Sequence, residues 1–235
     1  MPSIDAVDTL VVSEVFGPTW QGEGPSLGRR AGFVRLGRCN LACTFCDTPY
    51  TWRWTDHDPA VELRTMSVDD VLSELRAMDV PLVVVTGGEP LLQQSHLPPL
   101  LRPLREGGID VEIETAATLA PSAELIELVT RFNVSPKLAN SGNDVDRRLR
   151  PDVLRAFEAT GRAAYKFVAL DAVDLDEIGR IVDDHGLTDV WVMPEGTDAE
   201  TIVTRSRALI EPVLARGWNL TTRLHVLLWG DRRGV

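Results

Sequence analysis

Short apolar segments rich in β-branched residues recur along this chain at fairly regular spacing. They occupy residues 10–15, 32–36, 82–86, 109–114, 132–135, 164–168, 189–193 and 224–229. Each segment is apolar without strict alternation, which is typical of strands buried on both faces of a parallel sheet. The pattern therefore predicts a series of buried strands.

Helical patterns separate many of these segments. Ser67 begins one of them, with acidic residues in its first turn. The run Thr-Asp-Ala-Glu at 197–200 has the spacing of a capping box and predicts a helix that reaches about Leu214. Pro121 and Pro151 fit the first turns of two more helices, since proline is well tolerated there.

The alternation of strands and helices from residue 82 onward predicts βα units and a parallel sheet. About six such repeats are present, fewer than the eight of a closed barrel. We therefore expect an α/β fold of the partial (β/α)6 TIM-barrel type, with an open doubly wound sheet as the alternative. No linker composition interrupts the chain, so we expect a single domain over residues 1–235. In either arrangement the active site lies at the carboxyl ends of the strands.

Composition and charge exclude several classes of function. The formal net charge is −11, which argues against binding DNA or RNA. No apolar stretch approaches the ~18 residues of a membrane span, and the N-terminus lacks the regions of a signal peptide. We therefore expect a cytoplasmic protein, in a compartment where clustered cysteines bind metals or act in catalysis rather than forming disulfides.

All three cysteines, Cys39, Cys43 and Cys46, fall within eight positions. Three thiolates can hold a metal centre, but they are one ligand short of a closed zinc site or a fully ligated iron–sulfur cluster. Such a centre keeps an open position for chemistry. Zinc with His57 as a fourth ligand, or three free buried thiols, are the alternatives.

The spacing Cys-x3-Cys-x2-Cys closely resembles that of the radical S-adenosylmethionine superfamily, in which the free iron of a [4Fe–4S] cluster chelates S-adenosylmethionine. Phe45 matches the aromatic residue usual before the last cysteine. The run Thr-Gly-Gly-Glu-Pro at 86–90 resembles the superfamily motif that binds the amino group of S-adenosylmethionine. The resemblance implies reductive cleavage of that cofactor to a 5′-deoxyadenosyl radical.

Three further runs point to one family within the superfamily. Gln-Gly-Glu-Gly at 21–24, Phe-Val-Arg-Leu at 33–36 and Cys-Asp-Thr at 46–48 occur in the order that resembles the 7-carboxy-7-deazaguanine synthases. The resemblance extends from about residue 13 to 137 and continues more thinly to the C-terminus. It implies a lyase that converts 6-carboxy-5,6,7,8-tetrahydropterin to 7-carboxy-7-deazaguanine with loss of ammonia, in queuosine or other 7-deazapurine biosynthesis. Magnesium, a flavodoxin- or ferredoxin-type electron donor and a homodimer are further expectations.

The resemblance assigns roles residue by residue, beyond the three cysteines that hold the cluster in a loop at about 37–54. Thr48 matches a magnesium ligand. The positions that match S-adenosylmethionine contacts are Phe45, Asp47, Gly87, Gly88, Glu89, Glu114, Ser135, Pro136 and Lys137. The positions that match substrate contacts are Trp20, Gln21, Gly22, Glu23, Arg35, Thr86 and Val235.

Two segments depart from the family pattern. Many relatives have Glu-Thr-Asn-Gly where this chain has Glu-Thr-Ala-Ala at 114–117, and often Gln-Pro where this chain has Met-Pro at 193–194. Two other functions also fit parts of the sequence. One is an activase that abstracts a glycine hydrogen from a protein partner, which would not need Gln21, Glu23 and Arg35. The other is a zinc-stabilised interaction domain.

Overall fold

The computed structural model describes residues 8–235, which form one sheet of nine strands surrounded by helices. The strands are β1 (Thr9–Trp20), β2 (Arg30–Leu36), β3 (Arg64–Ser67), β4 (Leu82–Gly87), β5 (Asp110–Thr115), β6 (Arg131–Val134), β7 (Ala163–Ala169), β8 (Val190–Pro194) and β9 (Asn219–Leu220). Their order across the sheet is β3-β1-β2-β4-β5-β6-β7-β8-β9. β2 and β4 to β9 pair in parallel, whereas β1 is antiparallel to both of its neighbours.

The strand order explains why the fold is a partial barrel. From β5 to β9 each strand lies beside the one that precedes it in the chain. Right-handed crossovers that always advance in one direction place their helices on one face of the sheet. A doubly wound sheet would reverse the order of its parallel strands, and the parallel strands β2 and β4 to β9 follow one another without such a reversal. The sheet is open, as the small number of repeats predicted.

The helices are α1 (Pro59–Glu62), α2 (Val68–Ala77), α3 (Pro98–Glu106), α4 (Ala123–Leu128), α5 (Val145–Arg148), α6 (Pro151–Glu158), α7 (Ala172–His185), α8 (Ala199–Ala215) and α9 (Leu224–Trp229). In the described part of the chain, none of them is long and apolar enough to cross a membrane.

Two of the four predicted helix starts are confirmed as given, and the other two differ by one or two residues. The side chain of Ser67 accepts a hydrogen bond from the Asp70 amide at the start of α2, and Pro151 is the first residue of α6. The cap of α8 is Asp198 rather than Thr197. Pro121 lies ahead of α4 rather than in its first turn, because Ser122 caps that helix.

Alternate side chains of the parallel strands point to opposite faces, and the two faces differ in chemistry. The outward residues, such as Val85 and Ile113, pack under the helices in the main hydrophobic core. The inward face is apolar only beside β2 and β4, where a small cluster includes Phe33 and Val84. Further round it carries buried polar residues: Thr86, Glu112, Asn133 and Lys166. The strands are buried on both faces as predicted, but the inner face is polar.

The segment 224–229 is the helix α9, so the prediction of a strand there was wrong. An apolar run of this length carries no clear period and can form either element. The last strand position is taken instead by the short β9, which the sequence pattern did not reveal, and the pattern also missed β3. Gly230, with a φ of 68°, ends α9 and turns the last residues back toward the barrel.

Candidate active site

The carboxyl ends of the strands surround one cavity of about 550 Å³. That volume is within the range of small-molecule sites. Most of the predicted site residues line it: Trp20, Gln21, Gly22, Glu23, Arg35, Cys39, Cys43, Phe45, Cys46, Asp47, Thr48, Thr86, Gly87, Gly88, Glu114, Ser135, Lys137 and Val235. Glu89 and Pro136 are not among the lining residues.

The three cysteines lie on one wall of this cavity, on the loop that follows β2. Burial raises the pKa of the free Cys39 thiol to about 11. Each sulfur accepts one N–H hydrogen bond, a contact that favours the ligating thiolate and tunes an iron–sulfur centre. The donors are Leu41 N to Cys39 at 3.4 Å, Asn143 Nδ2 to Cys43 at 3.3 Å and Trp52 Nε1 to Cys46 at 3.3 Å.

These sulfurs fit a cluster better than a single ion. Among residues 8–235, no three His, Cys, Asp or Glu side chains converge tightly enough to hold one metal ion. In a cluster each cysteine binds a different iron atom, and three sulfurs facing one cavity satisfy that arrangement. His57, which the zinc alternative requires, contacts Glu62 instead, with Nδ1 3.7 Å from the carboxylate.

The glycine pair after β4 packs the strand against the start of the cysteine loop. A Cβ atom on Gly87 would overlap the Leu36 carbonyl, and one on Gly88 would overlap the Arg38 carbonyl. The close approach therefore involves protein backbone, although both glycines also line the cavity.

The Glu89 carboxylate links the ends of β4 and β5. It is fully buried and accepts hydrogen bonds from the hydroxyl of Thr115 at 2.8 Å and the amides of Ala116 at 2.8 Å and Leu91 at 3.0 Å. Burial raises its pKa. The structure thus gives Glu89 a role in shaping the cavity wall, and its contact with S-adenosylmethionine stays a prediction.

Glu114 joins two residues that the sequence assigned to the substrate. One carboxylate oxygen accepts from Gln21 Nε2 at 3.1 Å and the other from the hydroxyl of Thr86 at 2.8 Å. Thr48 lies nearer the cysteines, with its hydroxyl 3.8 Å from the sulfur of Cys46.

Glu23 is the centre of a buried charge network. One oxygen pairs with Lys166, and the other lies 3.1 Å from Nε of Arg223. Burial alone would raise the pKa of Glu23, but the attraction of these two cations outweighs it and holds the pKa well below its usual range. Arg223 also pairs with Asp47 on the cysteine loop. The network therefore ties the loop after β1 to the cluster loop.

Sequence reasoning missed several residues that line the cavity. They are Asn133, Lys166, Arg223 and His225, among others. For Lys166 and Asn133 a signal was present: each alternates with large apolar residues along its strand, and this places it on the opposite face. His225 lies in the segment that was wrongly predicted as a strand, and Arg223 directly precedes it, so no local pattern indicated either residue.

Arg35 presents a prepared guanidinium to the cavity. Its Nε donates to Glu14 Oε2 at 2.8 Å, and its plane lies over the ring of Phe16 at 5.4 Å. Its two terminal nitrogens make no hydrogen bond to any residue of the described range 8–235. Two parallel N–H groups match the two oxygens of a carboxylate.

Comparison with known proteins places this geometry in a class. The family model of the radical SAM superfamily matches residues 34–185, which include all three cysteines and the glycine pair. The chain is therefore a radical S-adenosylmethionine enzyme. This membership implies a [4Fe–4S] cluster and S-adenosylmethionine as cofactors.

Similarity to individual proteins extends over nearly the whole chain. The 7-carboxy-7-deazaguanine synthase of Pyrobaculum aerophilum is 36% identical over 98% of this chain and 100% of its own length. That of Halobacterium salinarum is 35% identical over 94% of this chain and 91% of its own length. The crystal structure of QueE from Escherichia coli superposes with a TM-score of 0.69 at 26% identity, covering 92% of this chain and 95% of that chain. The chain belongs to the 7-carboxy-7-deazaguanine synthase family.

Proposed function

We propose that this enzyme converts 6-carboxy-5,6,7,8-tetrahydropterin to 7-carboxy-7-deazaguanine with loss of ammonia. The observation that carries the proposal is Arg35, whose guanidinium is held by Glu14 and Phe16 with its outer edge toward the cavity. A substrate with a carboxylate is the natural partner of that edge. The names of the relatives, which describe a 7-carboxy product, support the same chemistry.

The remaining polar residues suit a flat heterocycle with several donors and acceptors. Gln21 and Thr86 converge on Glu114, so the amide and the hydroxyl both lie within hydrogen-bonding distance of the carboxylate. The Glu23 carboxylate already binds two cations, but an ionised carboxylate accepts several hydrogen bonds and can take another from the pterin. Met193 and Glu195 also line the cavity, and Glu195 is paired with Arg205.

Cys39, Cys43 and Cys46 would hold the cluster, and the positions proposed to contact S-adenosylmethionine, except Glu89 and Pro136, line the same cavity. When bound, these cofactors supply one-electron radical chemistry. Thr48 is the proposed magnesium ligand, which is reasonable because magnesium keeps most of its water shell and shares ligands with substrate. We also propose a single domain, cytoplasmic location, a flavodoxin- or ferredoxin-type donor and a homodimer. The one continuous sheet supports the single domain.

The test is an anaerobic assay with reconstituted protein, dithionite, S-adenosylmethionine and magnesium, in which the product is detected by mass. The proposal expects 7-carboxy-7-deazaguanine to form from the carboxylated tetrahydropterin, and Arg35→Gln to reduce binding of that pterin while iron content is unchanged. A protein that carries its cluster and cleaves S-adenosylmethionine but leaves the pterin intact would show that the substrate assignment is wrong.

A further inference from the structure

The last residues of the chain cover one side of the cavity. The segment 230–235, which follows α9, lines the cavity along its whole length. A short terminal segment without helix or strand needs side-chain contacts to keep one position. Arg233 supplies most of those contacts.

Arg233 is held by four neighbours. Its Nε donates to Glu14 Oε1 at 2.5 Å, and one terminal nitrogen donates to Glu62 at 2.7 Å. The other terminal nitrogen lies 3.4 Å from the hydroxyl of Ser13, and the guanidinium stacks 3.7 Å above the Tyr50 ring. Although the side chain is 41% exposed, every one of its nitrogens has a partner.

Glu14 is shared between the tail and the proposed substrate site. Its Oε1 binds Arg233, while its Oε2 accepts from Arg35 Nε at 2.8 Å and from the Tyr50 hydroxyl at 3.1 Å. Because each oxygen has its own guanidinium, Glu14 contacts Arg35 only at Nε. Without Arg233, the free oxygen could take a second nitrogen of Arg35, since carboxylate–guanidinium pairs favour the bidentate arrangement. This terminal nitrogen of Arg35 would then be lost to a ligand carboxylate, which needs both terminal nitrogens for a bidentate contact.

We propose that Arg233 is a positioning residue that latches the C-terminal segment to Glu14 and thereby keeps the outer edge of Arg35 free for the substrate carboxylate. The inference rests on the proposed function, because it assigns Arg35 to a carboxylated pterin. It adds a specificity role for a residue that touches neither the cysteines nor the glycine pair. A ligand carboxylate bound to Arg35 would in turn weaken the attraction between Arg35 and Glu14 and strengthen the contact between Glu14 and Arg233.

The experiment measures binding of two tetrahydropterins, with and without the 6-carboxylate, by calorimetry. It uses anaerobic holoenzyme with S-adenosylmethionine and no reductant, so that no turnover occurs. Arg233→Gln should weaken binding of the carboxylated pterin about tenfold, the size expected for a lost charge-assisted hydrogen bond, and leave the other pterin within about twofold. Arg233→Lys should fall between. Arg64→Gln, which alters an exposed arginine 3.9 Å from Glu74, is the matched control and should bind both pterins like wild type.

A second readout follows the tail itself by amide hydrogen exchange of peptides that cover 225–235. Exchange should be faster in Arg233→Gln than in wild type, and the carboxylated pterin should slow it in wild type only. If Arg233→Gln weakens the binding of both pterins equally, the segment 230–235 only lines the cavity, and the proposed coupling through Glu14 is wrong. If wild type itself does not prefer the carboxylated pterin, the proposed function fails and this inference with it.

Discussion

Replacing Lys166 with methionine should destabilise the fold by an amount that the buried network sets. Lys166 and Glu23 are 8% and 14% exposed, so neither charge is well hydrated. Removing one partner of a buried ion pair typically costs about 3–5 kcal/mol, because the other charge is left uncompensated. Here Arg223 remains 3.1 Å from Glu23, so we expect the lower end of this range, about 3 kcal/mol. Methionine keeps most of the lysine volume, which limits any contribution from a cavity.

The assay is urea unfolding followed by circular dichroism, with anaerobic preparations matched for iron content. The comparison variant is Arg102→Met, which removes an ion pair to Glu124 of 2.7 Å whose partners are 52% and 51% exposed. Exposed pairs contribute about 0–1 kcal/mol, so this variant should unfold close to wild type. The slope of free energy against urea should be the same in both, which would show that the unfolded states are comparable.

A second variant separates charge from packing. Adding Glu23→Gln to Lys166→Met removes the uncompensated carboxylate and should recover part of the lost stability. If Lys166→Met costs no more than Arg102→Met, or if the double variant is less stable than Lys166→Met alone, the argument from buried charge is refuted.

Three further outcomes follow from the site. Arg35→Lys should weaken the carboxylated pterin by roughly tenfold to a hundredfold in a calorimetric titration without changing iron content, because an ammonium cannot offer two parallel N–H groups. Since the pKa of Glu23 is lowered by its two cations despite burial, the folded state binds fewer protons than the unfolded state. The stabilisation that ionised Glu23 contributes is therefore complete above about pH 4.3, the pKa of glutamate in an unfolded chain, and is lost as the pH falls below that value. Glu23→Gln should accordingly flatten the dependence of the unfolding free energy on pH over about pH 5 to 3. Gly22→Ala would place a Cβ against the ring of His225, and the overlap should lower stability by about 1–3 kcal/mol in the same urea assay.

The parallel strands could be predicted because apolar runs and helical periods alternate regularly along the chain. Residues 82–86 form a strand almost as predicted, and Ser67 begins a helix because its hydroxyl caps the first turn. The segment 224–229 was wrongly predicted as a strand, since a six-residue run with five apolar positions suits either a strand or a helix. Its state depends on tertiary packing: Val226 turns inward, while Trp229 stays 37% exposed.

The site was predictable where one local motif carries the chemistry. The cysteine loop and the glycine pair fall together in the cavity because both lie at strand ends, and parallel strands bring their carboxyl ends to one edge. Partners that are distant in the chain were not predictable. Arg223 is separated from Glu23 by 200 positions, and no period within either segment indicates that they meet.

The polar groups on the inner face of the sheet explain why the cavity residues that the sequence did not reveal are important for the site. Inside an open barrel, apolar side chains would fill the space that a ligand needs, so the inner face carries polar groups that bind one another around the cavity. Such groups hold their positions only if their hydrogen bonds are satisfied, because an unpaired buried group costs about 1–3 kcal/mol. Glu112 illustrates the solution, since it accepts from Ser26 at 2.5 Å and from Asn133 Nδ2 at 2.8 Å. The Oδ1 of Asn133 has no partner among residues 8–235, although it is buried beside the cavity. The network is thus complete at Glu112, and within the described residues it leaves one acceptor unpaired at Asn133, a residue that lines the cavity.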